Sequence, residues 1–303
     1  MTQALRAHIA MVIFAAVISV SFTLGDIAAP HIEPSVLTAL RFFTAALLLG
    51  VLAIPHFAKT NLSSSWRYAL VGGLIAGYFI LMFEALRLTD PVSTSAVFTL
   101  TPIMSAFFGY LLMRQITTAI MAVALSIAGV GAIWVIFRAN IEAILGLRFG
   151  RGEQLFFIGC AMHALYTPVS RLLNRGESVV VFSFLSICGG LLVTLLYGWS
   201  HIQSTQWETL PTVVWAAVLY LGIFATAATV FLMQFATLRL PAGKVMAYGY
   251  LVPVFVILWE GLIGHGWIQW KVLPGVIAIV LALLVLIAER ERADSHPGNM
   301  VHE

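Results

Sequence analysis

Two stretches of sequence, half a chain apart, decide the fold. Residues 86–102 read LRLTDPVSTSAVFTLTP, and residues 238–253 read LRLPAGKVMAYGYLVP. Each stretch begins with Leu-Arg-Leu, passes through a turn and enters a segment of mostly small and apolar residues that contains a proline. The two prolines, Pro102 and Pro253, are 151 residues apart in a chain of 303. Similarity at a separation of half the chain indicates two related halves.

The composition around these stretches indicates a lipid environment. Hydrophobic residues make up 61% of the chain and charged residues only 10%, and the mean hydropathy is +0.99. A soluble domain carries about 25% charged residues, and less than half of it is apolar. Because this chain could not cover its surface with polar groups in water, the composition excludes a soluble fold.

Apolar segments of the length of a membrane span recur along the whole chain. A spanning helix needs about 20 mostly apolar residues, because no backbone polar group can stay unpaired in hydrocarbon. The sequence therefore predicts an all-α polytopic membrane protein with ten transmembrane helices, called spans 1 to 10. They are predicted at 7–28, 34–54, 66–88, 91–113, 116–137, 152–174, 177–199, 210–238, 241–263 and 270–288.

The repeat divides the ten spans into two halves of five. The first half covers residues 1–138, a connecting loop covers 139–151, the second half covers 152–288, and a polar cytoplasmic tail covers 289–303. Since five is odd, the second half must insert upside down relative to the first. Inverted repeats are typical of secondary transporters, whose site lies near the midplane between the halves. The apolar start of the chain resembles a signal peptide, but losing span 1 would break this symmetry.

The distribution of basic residues predicts the orientation. If the N-terminus is cytoplasmic, ten Lys and Arg residues fall in the inner segments and five in the outer ones, as the positive-inside rule requires. We therefore expect a multi-pass protein of a bacterial-type cytoplasmic (inner) membrane, with both termini inside. The basic residues stand singly at the ends of apolar runs, so the net charge of +3 does not indicate nucleic-acid binding.

No motif in the sequence indicates a cofactor or a metal. Cys160 and Cys188 both lie in apolar spans, and the eight histidines show no HExxH or Cys/His ligand spacing. The chain has no GxxxxGK[ST] loop, so transport driven by ATP would need a separate subunit. An integral membrane enzyme acting on lipid would need clustered His, Asp or Ser residues near one interface, and no such cluster is visible.

Four short motifs, in order over the ten spans, resemble a known transporter family. They are Arg41-Phe42-Phe43, Glu84-Ala85-Leu86-Arg87, Thr99-Leu100-Thr101-Pro102 and Tyr250-Leu251-Val252-Pro253. Over residues 7–288 the chain resembles the EamA-type branch of the drug/metabolite transporter superfamily, and the bacterial aromatic amino-acid exporters most of all. The resemblance implies a basket of five plus five helices that exports metabolites. The family's acidic residue after the fourth helix is absent, because this chain reads Met113-Arg114-Gln115.

Aromatic and hydroxyl side chains near mid-depth are the candidate substrate-binding residues. They are Tyr78, Phe98, Thr99, Thr101, His163, Tyr166, Tyr248 and Tyr250. A mostly apolar pocket with a few polar groups suits a flat aromatic or amphipathic solute. Each of these side chains could instead pack against, or hydrogen-bond to, a neighbouring helix. His163 could contact substrate or carry a proton, or it could be a neutral histidine bonded to another helix.

Prolines and charged residues within the spans are the candidate moving parts. Pro102, Pro168 and Pro253 are predicted hinges, because each removes a helical hydrogen bond and frees a carbonyl four residues back. Arg41 lies about two turns below the predicted outer end of span 2 and needs a partner in the membrane. A gate or ion pair of Arg41 with Glu84 or Asp26 is expected, rather than direct capture of a substrate carboxylate. Glu260 is a further candidate at the outer end of span 9.

These observations predict a secondary transporter, an exporter or a facilitator, of aromatic or hydrophobic amino acids. The two halves would rock about the midplane in alternating access. The expected partners are the small-molecule substrate and the lipid bilayer, and packing within a monomer is favoured over dimerisation. The alternatives are another cargo, such as a different metabolite or a drug, and the lipid-modifying enzyme. Phosphorylated cargo would need several basic residues at the midplane, and a cationic drug would need a carboxylate there.

Overall fold

The structure is a computed structural model. It describes the backbone of residues 3–28, 30–57, 64–89, 94, 97–146, 149–263 and 270–294. Within these ranges, the side chains of 21–23, 25–27, 256–257, 260–263 and 289–294 are outside the description. The described residues form helices and turns and contain no strand, which confirms an all-α fold.

Ten helical segments, α1 to α10, follow one another along the described chain. They are α1 (Gln3–Ala28), α2 (Pro34–Ala53), α3 (Trp66–Leu86), α4 (Thr101–Met113), α5 (Ala119–Ile136), α6 (Arg151–Leu173), α7 (Val179–Ser204), α8 (Thr212–Thr237), α9 (Ala242–Ile263) and α10 (Leu273–Asp294). A π-helical turn, Ile223–Ala228, lies within α8, and a 3₁₀ turn, Tyr248–Leu251, interrupts α9. Short 3₁₀ turns at Ile54–His56, Trp207–Thr209 and Trp270–Val272 flank α2, α8 and α10.

Length and apolar composition qualify seven of these helices to cross a bilayer. Within the described residues they are α1, α2, α3, α5, α7, α8 and α10. The other three differ in composition or continuity: α4 has 13 described residues, α9 is interrupted, and α6 carries buried polar residues such as His163 and Thr167. A polytopic membrane protein is therefore established, with seven candidate spans by this criterion.

Several of the helix ends differ from the sequence prediction. α1 begins at Gln3, and α10 continues to Asp294, past the predicted end at residue 288. The connecting loop 139–151 contains a short helix, Ile141–Leu145. The Asn140 side-chain oxygen accepts a hydrogen bond from the Ala143 N–H at its first turn (3.0 Å).

The prolines of the two repeat motifs occupy the same structural position. Pro102 is the second residue of α4, after a turn, and Pro253 is the second residue of the helix that follows the 3₁₀ turn in α9. Proline is suited to the first turn of a helix, because it needs no N–H partner there. The expectation of kinks inside continuous helices is thus corrected: each proline begins a new helix after a break.

Pro168 behaves differently from the other two prolines. It lies inside α6, which continues through it to Leu173. The carbonyl of Ala164 would normally accept from the N–H that proline lacks. It accepts a hydrogen bond from the Thr167 hydroxyl instead (3.4 Å), so a side chain of the same helix satisfies the freed carbonyl.

The helix contacts come in matched pairs. α3 packs on α7 as α8 packs on α2, α3 packs on α6 as α8 packs on α1, and α4 packs on α6 as α9 packs on α1. The contacts α2–α7, α4–α9 and α5–α10 each join a helix to its counterpart five places on. Two related halves around a two-fold axis produce this pattern.

Glycines allow the backbones of α3 and α7 to touch. A Cβ atom on Gly72 would lie 2.0 Å from the Ser186 carbonyl oxygen and 2.2 Å from the Gly190 nitrogen. A Cβ atom on Gly189 would lie 2.3 Å from the Tyr68 carbonyl oxygen. Small residues stabilise helix pairs in membranes by permitting such close approach, so this contact joins the two halves near their centre.

Replacing Gly72 by alanine should therefore destabilise the protein. Because the obstructing atoms belong to the backbone, the helices must separate, and overpacking of this kind costs about 1–3 kcal/mol. We expect Gly72→Ala to lower the midpoint of thermal unfolding in detergent by several degrees. Gly73→Ala is the matched control, since its new Cβ would meet only a Val193 methyl group at 3.6 Å. Equal midpoints for the two variants would contradict this packing.

Candidate functional site

Four aromatic side chains from three parts of the chain meet inside the helix bundle. They are Tyr78 on α3, Phe98 before α4, and Phe156 and His163 on α6; together they are called the aromatic cluster. The rings of Tyr78 and His163 are stacked, with centroids 4.3 Å apart, and Phe98 lies 5.7 Å from His163. Phe156 lies 6.0 Å from Tyr78. The sequence predicted three of the four residues, and the fold brings those three together.

Arg41 borders this cluster. Its guanidinium carbon lies 3.7 Å from the centroid of the Phe79 ring, and Phe79 contacts Tyr78 at 5.0 Å. Arg41 Nε donates to the Thr226 hydroxyl (2.8 Å), and Nη2 donates to the Ala225 carbonyl (3.1 Å). Both acceptors lie in the π-helical turn of α8. Arg41 is 1% exposed, so its charge is buried against a ring and two neutral oxygens.

The expected ion pair between Arg41 and Glu84 is not formed. Glu84 lies 3.8 Å from Arg87 at the end of α3, and Arg87 also pairs with Glu33 at 3.0 Å. Arg41 points to α8 instead, because the π-helical turn presents a carbonyl and a hydroxyl to it. The second expected partner, Asp26, lies outside the described side chains. Among the described residues, Arg41 has no carboxylate partner.

His163 is one of the two polar members of the aromatic cluster; the other is Tyr78, with its hydroxyl. His163 is 2% exposed, and within the described part of the chain its Nδ1 atom has no hydrogen-bond partner. The alternative of a histidine bonded through this atom to a neighbouring helix is therefore not what the fold shows. A buried polar atom without a partner is costly, so this atom is available to a ligand or to water.

The predicted tyrosines of α9 lie elsewhere. Tyr248 shares a short hydrogen bond with His8 of α1 (Tyr248 hydroxyl to His8 Nδ1, 2.6 Å). Tyr250 packs on α5, where its hydroxyl would lie 3.3 Å from a Cβ atom on Gly129. Gly249, between them, carries the contact to the cluster, since its Cβ position is 3.2 Å from Phe98. Neither tyrosine makes a described ring contact with Tyr78, because the 3₁₀ turn directs them to other helices, and their role in substrate binding stays a prediction.

The remaining candidates divide into buried and undescribed residues. Thr99, Thr101 and Tyr166 are all buried, and no ring contact joins Tyr166 to the aromatic cluster among the described residues. The side chain of Glu260 lies outside the described residues, as that of Asp26 does. The gate roles of these two residues therefore stay predictions.

One end of the bundle is tightly packed. This end, which carries Gln3 and the α4–α5 connection, is called the N-terminal end. A Cβ atom on Gly109 would lie 3.3 Å from the Ala242 Cβ. The Gln115 side-chain oxygen accepts a hydrogen bond from the Ala242 N–H (3.0 Å). Gln115, in the segment where the family resemblance led us to expect an acid, thus joins α4 to the start of α9.

A buried ion pair also closes the N-terminal end. Arg67 Nη2 lies 2.8 Å from Glu177 Oε1, and these side chains are 2% and 6% exposed. Arg67 also donates to the Leu173 carbonyl (2.6 Å), and the Tyr68 hydroxyl donates to Glu177 (3.1 Å). This clamp ties the start of α3 to the connection between α6 and α7. The sequence did not predict this clamp, because Arg67 is one of many single basic residues near the end of a predicted span.

The opposite end of the bundle has a polar cavity. Its volume is about 370 Å³, and Glu33, Arg87 and His31 lie in its wall. The hydrogen bond from Arg87 holds the pKa of Glu33 below its usual value. The pair is about two-fifths exposed, so water screens it. Charged groups at this end thus remain open to solvent, whereas those of Arg67 and Glu177 are buried.

Other residues of the site had no signal in the sequence. Phe79, Phe156, Thr226 and His8 each lie in an apolar helix and match no motif. Their roles depend on which helices become neighbours, and faint periodicity in a single sequence does not specify that. The two consecutive aromatic residues Tyr78 and Phe79 were the nearest clue, since both are large and occur at mid-helix.

Comparison with known proteins agrees with the fold and the repeat. The EamA-like transporter family pattern matches residues 5–137 and again 150–288, so the chain belongs to this family of membrane transporters. It is 23% identical over 287 residues to the uncharacterized transporter YyaM of Bacillus subtilis (strain 168), covering 92% of this chain and 93% of that one. It is 20% identical to the uncharacterized transporter YetK of the same strain, over 96% and 90% of the two chains.

A solved crystal structure shares the fold. It superposes with a TM-score of 0.75, covers 97% of this chain and 99% of its own, and is 19% identical in sequence. At this identity the similarity describes the arrangement of helices alone. The family identifies the molecule as a transporter, and neither relative's name states a substrate.

The clamp predicts an acid-sensitive contribution to stability. Partial burial raises the pKa of Glu177, but hydrogen bonds from Arg67, the Arg175 N–H and Tyr68 outweigh this effect and hold the pKa below its usual value. A lowered folded-state pKa contributes stability that is fully present above the unfolded-state pKa and is lost as pH falls through the folded-state value. We therefore expect Glu177→Gln to lower the thermal midpoint at pH 7.

This difference between Glu177→Gln and the wild type should shrink as the pH falls below about 4.5. The measurement is the thermal midpoint in detergent from pH 7 to pH 3.5. Glu142→Gln, at an exposed position of the short surface helix, should follow the wild-type profile throughout. A Glu177→Gln deficit of constant size across this range would show that the charge of Glu177 contributes nothing.

Proposed function

We propose that this protein is a secondary transporter of aromatic or hydrophobic amino acids, acting as an exporter or facilitator. It would span a bacterial-type inner membrane ten times, with two inverted five-helix halves at 1–138 and 152–288 and both termini in the cytoplasm. The double match to the transporter family and the matched helix contacts support this architecture.

Three spans beyond the seven clearly apolar helices are reasonable in this architecture. α4, α6 and α9 contact one another and lie among the other helices. Polar side chains within a span are tolerated where they face protein or a wet cavity. His163, Thr167 and Ser170 of α6 are all buried, so they lower its apolar content without facing lipid.

The packing supports a state that is closed toward the cytoplasm. On the proposed orientation, the N-terminal end is cytoplasmic, and there Gly109 meets Ala242 while Arg67 pairs with Glu177. Alternating access would require α4 and α9 to separate at this end. The breaks before Pro102 and Pro253 are suited to this motion, because a helix without a hydrogen bond at a turn bends there at low cost.

The aromatic cluster is the single observation that carries the substrate class. Flat rings stacked at 4.3 Å to 6.4 Å inside a transporter offer an apolar surface with a few polar groups, the Nδ1 atom of His163 and the Tyr78 hydroxyl among them. Aromatic pairs add about 0.5–1.5 kcal/mol beyond the burial of their area. A solute with an aromatic ring gains this contact where a compact polar solute does not.

Transport in liposomes tests the assignment. We expect purified protein to take up labelled phenylalanine and tryptophan with saturation, and Tyr78→Ala to reduce the initial rate about tenfold, equivalent to about 1.4 kcal/mol. Tyr197→Ala is the matched control, because Tyr197 is 58% exposed on α7 and should leave the rate unchanged.

The same assay separates the alternatives. If a proton gradient accelerates uptake and His163→Gln removes that acceleration, His163 carries the proton; uptake that ignores the gradient indicates a facilitator. If no aromatic amino acid moves above the level of empty liposomes, the aromatic assignment is wrong. The transporter would then act on another cargo.

Cross-linking tests alternating access. Disulfides join Cβ atoms about 3.8 Å apart. A Cβ atom on Gly109 would lie at a similar distance, 3.3 Å, from the Ala242 Cβ. In a background of Cys160→Ala and Cys188→Ala, we expect the pair Gly109→Cys and Ala242→Cys to form a disulfide that stops transport, and reduction to restore it. Each single-cysteine variant should be insensitive to oxidation. A cross-linked protein that transports at the normal rate would exclude opening at this point.

A further inference from the structure

We propose that Arg41 is the receptor for a substrate carboxylate and that the site selects organic monoanions carrying a flat ring. This inference rests on the proposed function and changes its emphasis. The preferred substrate would be an aromatic carboxylate, and the ammonium group of an amino acid would be tolerated rather than recognised.

The charge of Arg41 has no carboxylate partner among the side chains that the structure describes. A cation buried in a membrane protein is costly and normally pairs with another group. The described partners of Arg41 are a hydroxyl, a carbonyl and a ring, all of them neutral. They orient the guanidinium without cancelling its charge. An anion entering the site would therefore be attracted by a cation that no carboxylate among the described side chains neutralises.

Arg41 has more N–H donors than its described partners use. A guanidinium carries five N–H donors, and within the described part of the chain only Nε and Nη2 of Arg41 donate hydrogen bonds. Thr226 is itself held by a hydrogen bond to the Leu221 carbonyl (2.7 Å), so the position of Arg41 is set by two successive contacts. The remaining N–H groups can meet a carboxylate, whose two oxygens match the planar guanidinium.

The guanidinium of Arg41 lies beside the aromatic cluster. Phe79 covers the guanidinium at 3.7 Å and touches Tyr78 at 5.0 Å, which in turn stacks on His163 at 4.3 Å. The Nδ1 atom of His163, buried and without a protein partner in the described chain, adds a second polar group near the rings. A cation and a wall of rings side by side are complementary to an aromatic carboxylate.

The described acidic residues lie outside the aromatic cluster. Every carboxylate whose side chain the structure describes lies at a helix end or in a connection, and none contacts the aromatic cluster through a described hydrogen bond or ion pair. These are Glu33, Glu84, Glu142, Glu153, Glu177 and Glu208. Four of them already bind partners: Glu33 and Glu84 bind Arg87, Glu177 binds Arg67, and Glu153 binds Thr89 and the Gly150 N–H. The described site therefore offers an ammonium group no opposite charge.

Selecting a monoanion has a consequence for the direction of transport. Each cycle would carry one negative charge, so the membrane potential would drive the substrate. An interior that is negative by 100 mV favours exit of a monoanion by roughly fifty-fold at equilibrium. Export would then need neither ATP nor a proton.

Three molecules with the same ring and chain separate the charges. 3-Phenylpropionate carries the carboxylate alone, phenylalanine carries both groups, and phenethylamine carries the ammonium alone. We expect 3-phenylpropionate to compete with labelled phenylalanine at least as well as unlabelled phenylalanine, and phenethylamine to compete at least tenfold more weakly. Uptake of labelled 3-phenylpropionate should rise when valinomycin and potassium make the lumen positive.

Variants of Arg41 test its role directly. Arg41→Gln should weaken 3-phenylpropionate at least tenfold and leave phenethylamine unchanged, and Arg41→Lys should retain part of the affinity, because it keeps the charge without the fork. Lys271→Gln is the control, since Lys271 is an exposed cation in the 3₁₀ turn that precedes α10. If Arg41→Gln does not fold, the three-ligand comparison on the wild-type protein decides by itself.

A binding readout keeps this inference separate from the transport assignment. The thermal midpoint of the detergent-solubilised protein should rise with 3-phenylpropionate and not with phenethylamine. Failure of the proposed function alone would leave this shift intact while liposomes show no uptake. Carboxylate selection would be overturned if both ligands raised the thermal midpoint equally, or if 3-phenylpropionate did not raise it. It would also be overturned if phenethylamine competed as well as 3-phenylpropionate.

Discussion

Hydrocarbon offers no partner to a polar group, and the structure depends on this constraint throughout. Backbone groups are paired within helices, and where a proline breaks the pairing another group replaces it, as Thr167 does for the carbonyl of Ala164. The same constraint acts on side chains. Arg41 is tolerated in the interior because the π-helical turn of α8 supplies Ala225 and Thr226 as acceptors. Irregular backbone and buried charge therefore occur together.

This pairing of an irregular turn with a charged group connects the fold to transport. A regular helix pairs its carbonyls internally, so a break or a π-helical turn is where backbone carbonyls become most available to a side chain or a solute within the membrane. Three such irregularities surround the aromatic cluster: the turn before Pro102, the 3₁₀ turn before Pro253 and the π-helical turn at Ile223–Ala228. They place irregular backbone beside the rings, where the proposed alternating access requires both binding and movement.

The two ends of the bundle show how the same residue types serve different purposes. Arg67 and Glu177 are buried together and close the N-terminal end, whereas Arg87 and Glu33 form a half-exposed pair in a polar cavity at the opposite end. A buried pair holds helices in place because separating it would leave a charge without solvent. A screened pair contributes little and exchanges readily with water. The asymmetry agrees with a conformation closed at one end.

The amino-acid sequence by itself determined the membrane class, the helical fold, the approximate helix bounds and the duplication, because apolar length and the spacing of Pro102 and Pro253 are local or periodic properties. It also identified Tyr78, Phe98, His163 and Arg41 as unusual residues for their depth. Only the tertiary structure decided their partners. Tyr248 shares a hydrogen bond with His8, and Arg41 donates one to Thr226 and does not pair with Glu84. The partner of a buried side chain depends on which helix packs beside it. A single sequence does not specify which helices become neighbours.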